Sequence, residues 1–199
     1  MDAKAVSAVF GRLDKELWLV TSQADSRRSG LIATYVCRNS MAPAMPRVLI
    51  GLAKHHFTRE LVEESSAFAL HLLGDEHLPW VWQFGTQSGR VVDKFEGLEF
   101  TTAATGSPIL SSALGWLDCR VEARLDAGDR LVFLAAVVEG ELRSTRPLLT
   151  QKRLIQLAPP EMGRVLQEQY EDDCRLDSEQ ILVWREHCAR QQERARSSD

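Results

Sequence analysis

Several signatures of membrane, secreted and metal-finger proteins are missing from this sequence. No apolar run approaches the roughly 20 residues that span a bilayer, so a membrane-crossing helix is not expected. The four cysteines, Cys37, Cys119, Cys174 and Cys188, show no C-x-x-C spacing. That removes the usual disulfide framework and the zinc finger or ribbon, and reduced, mostly buried thiols are expected. A net charge of −4 offers no basic field for nucleic acid or an anionic membrane. The loop GTQSGR lacks the G-x-x-x-x-G-K-[ST] pattern of a nucleotide P-loop. Internal repeats and low-complexity tracts are absent too. The opening MDAKAVSAVFGRLDK has an acid at its second position and no long apolar stretch before a small-residue cleavage site. It does not read as a signal peptide, and a cytoplasmic location is expected.

What is present reads as strands punctuated by short helices. Val6, Val9, Phe10 and Leu13 recur at helical spacing, which predicts a short amphipathic helix over residues 3–14. LWLVTS and LIATYVC read as strands joined through the polar loop QADSRRSG, and VLIGLA follows the proline-punctuated SMAPAMP. TRELVEESS reads as a helix opened and capped by Thr58, with Glu60 near the positive end of its dipole. AFALHLL is a further strand, and Asp75 is placed to cap the helix DEHLPWVWQF. In that helix Trp80, Trp82 and Phe84 are two apart and cannot all face one way. WLDCRVEARL and RLVFLAAVVEGELR read as long strands turned by DAGD. Six or more strands with so few crossovers exclude a doubly wound sheet. A mainly β fold is predicted: an antiparallel, partly closed β-barrel with short helices.

The character changes near Pro159. Residues 161–179 hold seven acids and two bases, whereas 185–196 hold four arginines and two acids. One helix is predicted from PPEMGRVLQEQY and a second from Asp177, where Gln180 completes a capping-box spacing. Ile181, Trp184, Arg185 and Cys188 would share a face of it, with a disordered end beyond. Residues 1–158 then form the barrel domain and 159–199 a C-terminal helical extension.

The order of segments resembles the flavin reductase-like family of FMN-binding split barrels. LWLVTS, GLIATYVCRNSMAP, VLIGLAKHHFTREL, SAFALHLLGDE, VVDKFEGLEF and SPILSSALGWLDCRVEARLDAGDRLVFLAAVVE carry the resemblance across residues 15–153. PLLTQKR corresponds weakly to the family's last strand. The resemblance implies a homodimer holding FMN non-covalently, with hydride passing from NAD(P)H to the flavin at a dimer cleft. Ile32, Ala33, Thr34 and Cys37 become flavin neighbours; read alone, the small residues of that strand equally let a barrel close. Lys54, Thr58 and Arg59 fall on the phosphate side, where the same stretch also suits a solvated loop with a capped helix. Phe84 and the GTQSGR loop align with a family segment near the flavin, which implies that an aromatic flanks the ring. His55 and His56 suggest a metal, but no acid or cysteine nearby in sequence completes a ligand set, and none is expected. No nucleophilic or acid–base constellation emerges, since the flavin would carry the redox chemistry. Arg130 stands where many relatives have histidine. A flavin-binding or electron-transfer module without nicotinamide chemistry, and an interaction protein that has lost flavin, remain as alternatives.

Overall fold

The computed structural model describes residues 2–196. The chain opens with α1 (Ala3–Phe10), whose first-turn amides are capped by the Asp2 carboxylate. Then come β1 (Trp18–Ala24), β2 (Arg27–Ala33), β3 (Val36–Arg38) and β4 (Arg47–Ala53). α2 (Phe57–Ser65), β5 (Ala67–Leu72), a single 3-10 turn at Asp75–His77 and α3 (Leu78–Gly85) follow. β6 (Phe100–Thr102), β7 (Pro108–Leu110), β8 (Gly115–Asp126) and β9 (Arg130–Leu142) complete the strands, and α4 (Gln151–Leu157) and α5 (Pro160–Arg196) end the chain.

Seven strands form one sheet in the order β2-β1-β5-β8-β9-β4-β3, and every pairing is antiparallel. The sheet curls. Leu31 and Ala33 of β2, at one edge, share a core with Val48, Ile50 and Leu52 of β4, near the other. Phe68 and Phe133 fill the interval, almost without exposure. Burying each such side chain stabilises the fold by about 1.5–3 kcal/mol. Bulges between Asp118 and Cys119 and between Val121 and Ala123 bend the long β8–β9 ribbon. The expected mainly β, antiparallel split barrel with short helices and a C-terminal helix is the fold observed.

A second core lies outside the sheet, where Trp80, Val81 and Phe84 of α3 meet Leu17, Leu19, Phe95 and Leu154. Trp80 and Phe84 are one helical turn apart and buried, while Trp82 between them is half-buried. Buried polar groups sew the minor ribbon β6–β7 to the sheet. The His71 ring donates from Nδ1 to the Leu19 carbonyl and accepts the Leu110 amide at Nε2. The Asp118 carboxylate, also fully buried, accepts from the Thr105 amide and hydroxyl.

Several local expectations are corrected. QADSRRSG is mostly strand: β1 and β2 pair through Ala24↔Arg27, leaving a two-residue turn in which Asp25 has φ 53°. The arginines belong to the edge strand, where one face meets solvent and polarity is tolerated. LIATYVC is divided between β2 and β3. α2 starts at Phe57 with His56 as its N-cap and no side-chain cap, because the Thr58 hydroxyl donates to Ser29 instead. Asp75 caps nothing in α3 and pairs with Arg153. PLLTQKR contributes one bridge, Glu16↔Thr150, and then enters α4. Cys119 is buried, but Cys37 and Cys174 are exposed and Cys188 is half-buried. The C-terminal helices are one, α5, unbroken for 37 residues, or about 55 Å at the α-helical rise. The disordered end expected for the last several residues falls on residues 197–199, outside those described, whereas α5 runs to Arg196.

Candidate functional site

A cavity of about 560 Å³ opens between β2, the start of α2, the end of α3, the loop after it and one face of α5. Its floor is polar. Ser29 on β2 and Thr58 in the first turn of α2 are both buried, and the Thr58 hydroxyl donates to Ser29 Oγ across 3.1 Å. A Cβ added at Gly89 would fall 2.2 Å from Ser29 Oγ, so the Ser88–Gly89 loop backbone sits against these hydroxyls. The uncapped first turn of α2 points its positive end at the same place.

Lys94 lies behind this floor, 5% exposed, with Nζ donating to the Gly30 carbonyl at 2.9 Å and the Phe84 carbonyl at 2.7 Å. Burial pulls its pKa down to about 8. Its neighbours explain the DKF triplet: Asp93 pairs with Arg28 and accepts the Phe95 amide, and Phe95 packs edge-on to Phe84. The triplet therefore fastens the α3–β6 segment onto β2. Gly30 has a packing reason as well. A Cβ there would meet the Phe84 ring at 2.8 Å, so the absent side chain admits that ring.

The roof of the cavity comes from α5, through Leu166, Gln169, Tyr170, Asp173 and Leu176. His55 and His56 stand at the junction of roof and floor. His55 Nε2 lies 3.2 Å from Asp173 Oδ1, and burial, followed by the charge of His55, lowers the His56 pKa to about 4. The hydrogen bond from His55 in turn holds the Asp173 carboxyl below its ordinary value. Further along α5, Asp177 pairs with Arg130, whose guanidinium also pairs with Asp129 and lies over the Tyr35 ring. Trp184 packs on the β8–β9 turn: a Cβ at Gly128 (φ +100°) would meet its side chain at 3.1 Å.

Of the residues singled out from the sequence, Ile32, Thr58 and Phe84 line this cavity together. Ala33 turns its methyl into the barrel core. Thr34 follows the end of β2, half-buried and outside the cavity lining. Lys54 is held by Asp126 at 2.7 Å, and Arg59 is spent on Glu60, Glu63 and the Lys54 carbonyl. Cys37 lines a different, larger groove of about 1010 Å³, walled by Trp18, Pro43, Val48, Leu117 and Val138. Ser88 and Gly89 belong to the GTQSGR loop that the resemblance sets near the flavin, and they line this cavity, whereas Ser29 and Lys94 were not singled out. The DKF motif was the available signal for Lys94, whereas Ser29 sits in a stretch that reads as a polar turn.

Residues 10–156 match the flavin reductase like domain family. The chain belongs to that family. Among relatives of this flavin reductase-like protein, the ferric-chelate reductase (NAD(P)H) of Archaeoglobus fulgidus is 28% identical over 152 residues, covering 75% of this chain and 86% of that protein. Diflavin flavoprotein A 1 of Synechocystis is 27% identical over 140 residues, 70% of this chain. The chain spans only 22% to 24% of the length of such diflavin relatives. In fold, the flavin reductase-like chain is similar to the NADH:FAD oxidoreductase of Streptomyces globisporus, with a TM-score of 0.66 at 23% identity over 75% of this chain and 88% of that one. An FMN-binding protein from Thermus thermophilus superimposes with a TM-score of 0.61 at 22% identity, covering 66% and 72%.

Proposed function

We propose that this chain binds FMN in the cavity under α5 and, as a homodimer, serves as an oxidoreductase that passes hydride from NAD(P)H to the flavin. The observation that carries the reading is the polar floor: two buried hydroxyls, Ser29 and Thr58, beside an uncapped helix start and a glycine loop. That donor set suits a phosphate monoester, and Lys94 behind it supplies positive charge in a desolvated setting. Ile32 and Phe84 give the same cavity an apolar wall suited to a flat ring. Bound flavin supplies the redox chemistry, while the residues of the chain bind, orient and shield it. The family membership and the reductase names of the relatives point the same way.

The larger groove supports the homodimer, because its apolar wall includes the exposed Val138 and Leu142 of β9. Residues 1–158 would form the flavin domain and 159–199 its helical extension, in a cytoplasmic protein. A module that binds flavin without nicotinamide chemistry is the second reading. It is favoured by Arg130, which is committed to Asp129 and Asp177.

The test is the visible absorbance of the protein as purified and the mass of any extracted cofactor, followed by affinity measurements on variants. Ser29→Ala with Thr58→Ala removes two charge-assisted donors worth about 1.5–3 kcal/mol each, so FMN affinity should fall by at least tenfold. Lys54→Ala should leave it unchanged, since that ammonium serves Asp126. The reverse pattern would move the phosphate to the Lys54 side. NADH oxidation under air separates the reductase from the second reading, and light scattering that reports a monomer with FMN bound would remove the dimer.

A further inference from the structure

His55 and His56 adjoin the cavity without belonging to its phosphate floor, and Asp173 reaches them from the opposite end of the chain. One ligand-type atom from each of the three lies within 4.8 Å of the others. The two imidazoles are edge-on, with centroids 4.3 Å apart and planes at 72°, so their ring nitrogens do not satisfy one another. Nδ1 of both rings is buried and makes no hydrogen bond. Buried ring nitrogens without partners are costly, and in pairs they are unusual. One turn beyond Asp173 on the same face of α5, Asp177 Oδ1 is likewise buried and unbonded. Positive charge is also close, in Lys94 and Arg130. Lys94 is tied to two carbonyls, and Arg130 is balanced by Asp129 and Asp177.

We infer that His55, His56 and Asp173 form a binding site for a divalent transition-metal ion of the zinc or ferrous class. Two imidazoles and a carboxylate suit these ions rather than calcium or magnesium, which take oxygen shells. Around an ion bonded at about 2 Å, ligand atoms stand roughly 3–3.5 Å apart. The ligand atoms here lie within 4.8 Å of one another, so binding would draw the three side chains closer together. His55 and His56 lie between β4 and α2, and Asp173 lies on α5, so the ion would cross-link α5 to the barrel at the mouth of the cavity. This claim does not rest on the flavin reading.

The test uses the full chain, free of any affinity tag and stripped with a chelator, titrated with Co²⁺ as a spectroscopic probe and then with Zn²⁺ in competition. The expected result is one saturable equivalent with visible d–d absorbance, displaced by Zn²⁺. Affinity should drop at least tenfold in His56→Ala and in Asp173→Asn, the latter keeping shape and hydrogen-bonding capacity. Hydrogen exchange should show added protection around residue 173 on metal addition to wild type and none in Asp173→Asn. Absence of a saturable equivalent in wild type overturns the site. Equal Co²⁺ uptake by both folded variants, their folds checked by circular dichroism, overturns it as well.

Discussion

His71 shows how a single buried side chain ties the stability of the whole barrel to pH. The ring is fully buried on β5, donating to Leu19 and accepting from Leu110, so only the neutral tautomer satisfies both partners. Burial drives its pKa from 6.5 down to about 4. Between those values the unfolded chain takes up a proton that the native ring refuses, so stability rises with pH across that window. The contribution is complete above pH 6.5 and is lost progressively as pH falls towards 4, reaching roughly 3 kcal/mol. Urea unfolding at a series of pH values should show this loss, and His71→Gln, which keeps one donor and one acceptor, should flatten it. An equally steep loss in the variant would assign the effect elsewhere. Gly30 carries a lesson at the same scale. The sequence shows a glycine in a small-residue strand, which suits close approach by a ligand or by packing. The body that approaches is the Phe84 ring, which comes from α3, far along the chain.

Among the elements, α5 differs most from the others. Among its described residues none is fully buried, and the half-buried ones form one stripe that includes Leu166, Gln169, Asp173, Asp177, Gln180 and Trp184. With few buried apolar contacts to hold it, α5 should open locally at a lower free energy than the sheet. Native-state hydrogen exchange is expected to release the α5 amides well before those of β1, β5 and β8; matched protection would show that the helix folds as one unit with the barrel. The strands LWLVTS, VLIGLA and AFALHLL were legible because compact apolar runs can only be buried. The strand through Arg27 and Arg28 was not, because an edge strand exposes one face and its residues resemble a turn. The continuity of α5 was hidden by Asp177, whose spacing to Gln180 imitates a capping box. In the fold that carboxylate pairs with Arg130 of β9, a partner that no local pattern reveals. The site divides the same way. Thr58 and Phe84 follow from motif order, whereas the meeting of His55 and His56 with Asp173 depends on where α5 comes to rest.

At the scale of the molecule, the cavity lies between a barrel that supplies the donors and a helix that supplies the cover, so both charge and access are set jointly. Arg130 links the two, through Asp129 on the barrel side and Asp177 on α5, with Tyr35 beneath its guanidinium. Where a relative with histidine at this turn could offer an imidazolium proton, the arginine stays cationic at every accessible pH and has no proton to give. His56, with its pKa near 4, is neutral throughout the physiological range and contributes no titration there. If the chain oxidises NAD(P)H, the rate should therefore be slow and nearly flat between about pH 6 and 8. Arg130→His should raise the rate and introduce a rise towards acid pH, as the imidazolium form becomes populated. Because the same substitution loosens Asp177, Asp177→Asn serves as the control: it releases the ion pair without adding an acid, and the pH profile should stay flat. A steep profile in wild type that disappears in His55→Gln would transfer the proton-donating role to His55. A flat, unaccelerated Arg130→His would leave the guanidinium a purely structural link between β9 and α5.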